Sequence, residues 1–261
     1  MFRRACDRIT RRVAAMSPAD RREPCGDGAG GDVTVMVDRV AEDIVLEELR
    51  AMDRPMRVIS EEVGDLAIAG GSADVVVIDP IDGSLNAKRG MPIFSTSIAL
   101  AEGPGMGDVT LGLVRDHGTG EEWTAERGRG AWLDGARLAP STPPCPGVLE
   151  ILLIEGAFPV RVAYAAGALD GHVGRIRALG SLALSLCHTA AGRGDAMAGL
   201  GPGRSVDVAA AQLVARETGL LVGMPGAQDL PGAALDIAGR YHVYAAHDAA
   251  TLALLRTLTP G

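Results

Sequence analysis

The sequence is poor in several things that usually announce a function. Aromatic residues fill only 3% of its 261 positions, and lysine occurs once, as Lys88, against 24 arginines. Beside abundant Ala and Gly, this marks a compositional bias, so most Ala and Arg positions carry no functional signal. No run of 18 apolar residues exists, so no transmembrane helix and no membrane partner are expected. The four cysteines (Cys6, Cys25, Cys145, Cys187) show no CxxC spacing. In a chain this long they read as free thiols of a reducing compartment, and a cytoplasmic location is expected. The five histidines offer no metal-binding pattern, and neither a Walker lysine-serine pair nor a complete dinucleotide fingerprint is present. With 33 acidic against 25 basic residues and a net charge of −8, the chain lacks the basic footprint of a general nucleic-acid binder.

What is present is ordinary for a globular protein: 47% hydrophobic and 22% charged residues, in a length that suits one or two domains and a large core without staples. The opening segment carries five arginines but no continuous apolar stretch, so no secretory signal is expected. Phe2, Cys6, Ile9, Val13 and Met16 instead recur at helical spacing. Cys25–Asp32 reads as a mobile glycine-rich loop, and Val33–Arg50 as a helix after it. Met56–Ser60 is a short strand candidate. Asp74–Asp79 is a continuous apolar run of strand length, which predicts burial on both faces. Ile93–Glu102, Gly107–Asp116 and Glu121–Glu126 read as an antiparallel meander. The strongest breaker, Pro140–Pro146, separates an N-terminal half (1–140) from a C-terminal half (147–261), the two expected to form one compact unit. The second half alternates. Strands are read at Val148–Glu155 and Val243–Ala246, and helices near Val162–Leu169, Ser181–Gly192, Val206–Thr218 and Ala249–Leu258. This pattern gives layered α and β rather than a simple parallel sheet.

The chemistry concentrates in two turns. Glu61-Glu62 follows one strand candidate, and Asp79-Pro-Ile-Asp82-Gly-Ser84 follows the next. If those strands are neighbours, Glu61, Asp79 and Asp82 converge at their carboxyl ends, where open α/β sheets bind ligands. Carboxylates crowded into one site repel one another, and a hard divalent cation resolves the conflict; all-oxygen ligands favour magnesium or manganese over zinc. Pro80 helps fold the two aspartates to one side, and Gly83-Ser84 can open a helix whose free N–H groups face the same point. Metal and phosphate sites together point to phosphoryl transfer with water as nucleophile.

With Glu61-Glu62, the Asp79–Ser84 turn and Ser205-Val-Asp207-Val-Ala-Ala-Ala, the sequence resembles the inositol monophosphatase family of magnesium-dependent phosphatases. Asp32–Asp38, Gly112–Asp116, Ala125–Trp132, Leu179-Gly-Ser181 and Arg216–Gly219 extend the likeness over roughly residues 5 to 258. The resemblance implies an αβαβα sandwich of the sugar-phosphatase type, with Mg²⁺ held by Glu61, Asp79, Asp82, Asp207 and the Ile81 carbonyl. It implies that Asp82, Gly83, Ser84 and Ser181 meet the substrate, and that Asp38, Ser84 and Glu61 activate the attacking water. Glu62 becomes a carboxylate of the adjoining loop. Departures from the pattern bear on substrate. Val206 stands where Trp is usual, Ser84 for Thr and Ala87 for Phe, and no carboxylate lies in Gly199–Gly203 where inositol-specific members carry Glu. Asn86-Ala87 and Arg204 look more like the branch that accepts both fructose-1,6-bisphosphate and inositol-1-phosphate. Lys88 and Arg204 are candidate cations for substrate phosphate. The expected partner is a small phosphorylated sugar or polyol, and the expected assembly a homodimer. The alternative is a non-catalytic relative that binds an anion or a protein, against which stands the presence of all four carboxylate ligand positions.

Overall fold

The structure, a computed structural model, describes residues 1–31, 33–72, 74–139, 148–225 and 229–259. The proline-rich breaker Pro140–Pro146 lies outside the described residues, as do Cys145 and Asp32.

Two sheets carry the molecule. The larger has eight strands, ordered Ala136–Arg137, Gly130–Leu133, Glu122–Glu126, Val109–Asp116, Ser95–Ala101, Val75–Asp82, Met56–Ser60 and Gly64–Ile68. All its pairings are antiparallel except that of Met56–Ser60 with Val75–Asp82. The smaller has five, ordered Val173–Arg177, Leu149–Glu155, Ala196–Gly199, Tyr244–Ala246 and Leu221–Gly223.

Side-chain alternation explains how these sheets stack. Along Val75–Asp82, Val76 and Ile78 enter a core shared with the Phe2–Ala14 and Met36–Arg50 helices, while Val75 and Val77 enter the opposite core. That second core contains the helices Leu182–Ala190 and Ser205–Glu217 together with Leu153, Met197 and Ala245 from the smaller sheet. The far face of the smaller sheet packs on Pro159–Leu169 and Ala249–Arg256. The layers are therefore α, β, α, β, α, as the resemblance implied. The two central helices meet a sheet on each side and are apolar nearly all round. The Val208-Ala-Ala-Ala-Gln run of the second is buried throughout, its small side chains letting the helix sit close to both sheets.

One element differs from its sequence reading in a way that matters for the site. Val33–Arg50 is not a single helix. Val33–Val35 is extended and pairs antiparallel with Pro24–Asp27, and the helix begins at Met36. Three β-branched residues in a row favour the extended state. The glycine-rich stretch read as a mobile loop is thus partly tied into a hairpin. Strands at Gly64–Ile68, Val173–Arg177 and Ala196–Gly199 were not legible: the first two are short and largely exposed edges, and the third reads as Ala-Met-Ala-Gly with no alternation. Among the described residues, no helix is long and apolar enough to cross a membrane.

Candidate metal centre

Met56–Ser60 and Val75–Asp82 are adjacent and parallel, with Ser60 opposite Ile78, so their carboxyl ends open on the same edge of the large sheet. Glu61 leaves the first strand there, and Asp79 follows Ile78 in the second, just before its last three residues. Asp207 arrives from the first turn of the Ser205–Glu217 helix. One carboxylate oxygen from each of Glu61, Asp79 and Asp207 lies within 4.8 Å of the others. They line a cavity of about 410 Å³ whose wall also includes Asp38, Asp82, Ser84, Lys88 and Arg204.

The Asp79–Ser84 turn is built for this position. Pro80 fixes the chain direction, and the Ile81 N–H donates to Asp79 Oδ1 at 3.0 Å, an Asx-type turn. Asp79 pairs with Ser97 and Asp82 with Ser95, so three steps on one strand oppose two on the other; this bulge re-aims the chain where the ligands sit. Thr96 Oγ1 braces the turn by donating to the Pro80 carbonyl at 2.7 Å. Gly83 has φ +94°, and a Cβ there would lie 3.0 Å from the Gly180 carbonyl oxygen, so conformation and space both require glycine. Ser84 then opens the short helix Ser84–Arg89 and donates to the Ile81 carbonyl at 2.8 Å.

The remaining sequence-derived residues divide into those the cavity gathers and those committed elsewhere. Asp82 is buried and turned toward the Leu182–Ala190 helix, accepting from Ala183 N at 2.7 Å, Leu182 N at 3.2 Å and Ser181 Oγ at 2.5 Å. Ser181, which the resemblance gave to substrate, is buried at the cap of that helix, its hydroxyl donated to Asp82 and accepting from Leu184 N at 3.2 Å. Arg204 forms an ion pair with Glu61, and its backbone N–H donates to Asp207 Oδ2 at 2.8 Å. Lys88 is half-buried in the cavity wall. Glu62 accepts a hydrogen bond from Thr34, brought within reach by the hairpin.

Burial dominates the electrostatics. It pushes Glu61 up to about 9, with the charge of Asp207 adding to the effect. Burial, then Glu61 and Asp82, hold Asp79 well above the carboxylate range. Burial, then Asp207, pushes Asp82 up to about 7, and burial raises Asp207 too. Asp38 is also pushed up to about 7 by burial, against the neighbouring Ser84 hydroxyl, which favours the anion. Its Oδ1 is buried without a hydrogen-bond partner among the described residues. Carboxylates this close cannot all ionise alone; a divalent cation displaces their protons and converts repulsion into coordination. The donor set is entirely oxygen and suits a hard ion such as Mg²⁺ or Mn²⁺. The residues present fit such an ion.

Sequence reasoning missed two supports. His117 stacks on Phe94 and lies 2.8 Å from both Thr96 Oγ1 and Thr10 Oγ1, with burial pushing its pKa down to about 3. A lone histidine after a strand gives no signal of that role. Glu155 accepts from Leu179 N at 3.0 Å and Ser185 Oγ at 2.6 Å, and so fixes the turn that caps the helix facing Asp82. The signal for Glu155 was available: like Asp79, it ends a buried apolar strand.

The model of the inositol monophosphatase family matches residues 8–258. A fructose-1,6-bisphosphatase/inositol-1-monophosphatase of Methanothermobacter thermautotrophicus is 33% identical over 223 residues, 80% of this chain and 78% of that protein. The Nus factor SuhB of Escherichia coli is 35% identical over 199 residues, 73% of this chain and 71% of that protein. Among solved structures, an inositol monophosphatase-fructose 1,6 bisphosphatase superposes with a TM-score of 0.84 at 26% identity, covering 98% of this chain and 97% of that one.

Proposed function

The chain belongs to the inositol monophosphatase family, and on that premise we propose that it is a Mg²⁺-dependent phosphomonoesterase of small sugar or polyol phosphates, either fructose-1,6-bisphosphate or inositol-1-phosphate. The observation that carries the reading is the convergence of Glu61, Asp79 and Asp207 from three separate elements in one acidic cavity.

In this reading Glu61, Asp79, Asp82, Asp207 and the Ile81 carbonyl hold the metal. Bound divalent ions supply Lewis-acid polarisation of the phosphate and lower the pKa of the attacking water. The chain's own groups do the rest. Gly83 and Ser84 present backbone N–H groups to the phosphate. The Ser84 hydroxyl orients the attacking water together with Glu61. Asp38, beside the Ser84 hydroxyl, is the alternative acceptor for that hydroxyl's single proton, which otherwise goes to the Ile81 carbonyl. No covalent phosphoenzyme is needed.

The likeness to proteins named Nus factor favours a second reading, a regulator that binds an anion or a protein. The presence of all four acidic ligand positions argues for catalysis. A phosphate-release assay with fructose-1,6-bisphosphate and inositol-1-phosphate, with added Mg²⁺ and then with EDTA, separates the two. Metal-dependent release supports the enzyme, and no release from either substrate contradicts it.

A further inference from the structure

Beside the acidic cavity runs a second cleft of about 550 Å³ that shares Asp82 and Asp207 with it as walls. Its far side carries Arg161, in the first turn of the Pro159–Leu169 helix. The guanidinium is held in place by small contacts. A Cβ on Gly201 would fall 2.0 Å from Arg161 Nη1, and one on Gly156 would fall 2.6 Å from Gly201 N. Two glycine backbones therefore close on each other and leave the slot that the guanidinium fills. The Phe158 ring supports it from another side, with Arg161 Cζ 4.9 Å from the ring centroid. Among the described residues, no carboxylate pairs with Arg161. Glu155, in the same cleft, is committed to Leu179 N, Gly180 N and Ser185 Oγ.

This arrangement differs from that of the two cations named from sequence. Lys88 faces the acidic cavity, and Arg204 is engaged by Glu61. Because the two cavities share Asp82 and Asp207, the cleft is open to the leaving alcohol of a substrate whose reacting phosphate sits over Glu61, Asp79 and Asp207. A guanidinium seated between Gly156 and Gly201 waits there, with the exposed side chains of Leu85, Met91 and Phe158 around the cleft. The planar fork of arginine matches phosphate oxygens in pairs, and such charge-assisted contacts are about twice as strong as neutral ones.

We propose that Arg161 is a specificity-determining residue that receives the second phosphate of a bisphosphorylated sugar. The inference rests on the phosphatase reading above. It is tested with the purified full chain and saturating Mg²⁺, by the ratio of kcat/KM for fructose-1,6-bisphosphate to that for inositol-1-phosphate. Arg161→Met lowers this ratio about tenfold or more, and Arg161→Lys lowers it less, because the charge remains but the fork is lost. Gly201→Ala keeps the arginine but places a methyl group where Nη1 lies, and lowers the ratio as well. Thermal melting verifies that each variant is folded, and the two sites of substitution guard against the failure of one. A ratio changed less than threefold in both Arg161→Met and Gly201→Ala overturns this inference alone. Absence of turnover of both substrates by the unaltered chain contradicts the phosphatase reading and this inference with it.

Discussion

Arg204 and Glu61, 143 positions apart in the chain, form an ion pair inside the acidic cavity, both side chains largely buried. A guanidinium on Glu61 stands where a metal ion needs that carboxylate, so the two cations compete. Replacing Arg204 by Gln removes the competitor while the backbone N–H of residue 204 still holds Asp207. Mn²⁺ binding measured by calorimetry is expected to tighten by about tenfold, equivalent to about 1.4 kcal/mol. Weaker binding instead shows that Arg204 orients Glu61 for the ion.

Asp82→Asn is expected to fold and to lose most turnover. The amide oxygen can still accept from Ala183 N, so the link to the Leu182–Ala190 helix survives. The charge that holds a cation does not. A rate loss of about 10³, roughly 4 kcal/mol in the barrier, is expected if Asp82 binds a catalytic ion. A folded variant with a loss below tenfold makes Asp82 a helix anchor only.

Ser84→Ala is expected to lower kcat more than it raises KM. In the proposed mechanism the backbone N–H of residue 84 would still meet phosphate, whereas the hydroxyl that donates to Ile81, lies beside Asp38 and would orient the water is gone. A KM defect at unchanged kcat moves Ser84 from the transition state to uniform substrate binding.

Stability without metal is expected to fall as pH rises. Asp38, Asp82 and Glu155 are each pushed up to about 7 and Glu61 to about 9, all chiefly by burial. A carboxyl group whose folded pKa is raised binds its proton more tightly in the folded than in the unfolded chain. Its contribution is complete below the unfolded pKa of about 4 and is lost as pH climbs through the folded value. Thermal melting in EDTA should show Tm declining between pH 5 and 9, and Mg²⁺ should flatten the slope by neutralising the cluster. A Tm that rises with pH in EDTA contradicts these assignments.

The sequence reading reached furthest where residue type alone limits the chemistry. Asp79-Pro80-Ile81-Asp82-Gly83-Ser84 after a wholly apolar strand named one side of the cavity wall, and the neighbouring strands did meet as supposed. It fell short where partners come from distant chain. Periodicity gave no way to see that Ser181 would cap a helix and donate to Asp82, or that Arg204 would pair with Glu61. The Val33–Val35 hairpin was missed because its apolar residues also continue the periodic pattern of the helix that follows. Arg161 gave no signal at all among 24 arginines; its place depends on the close contact of Gly156 and Gly201.

The central claim is that Glu61, Asp79 and Asp207 bind a divalent metal that the hydrolysis requires. The most direct measurement follows phosphate release from fructose-1,6-bisphosphate and inositol-1-phosphate after exhaustive chelation, then during titration with Mg²⁺, for the unaltered chain and for Asp79→Asn. The account predicts no turnover after chelation, recovery that saturates with Mg²⁺, and no recovery in Asp79→Asn. Full turnover after exhaustive chelation would contradict it.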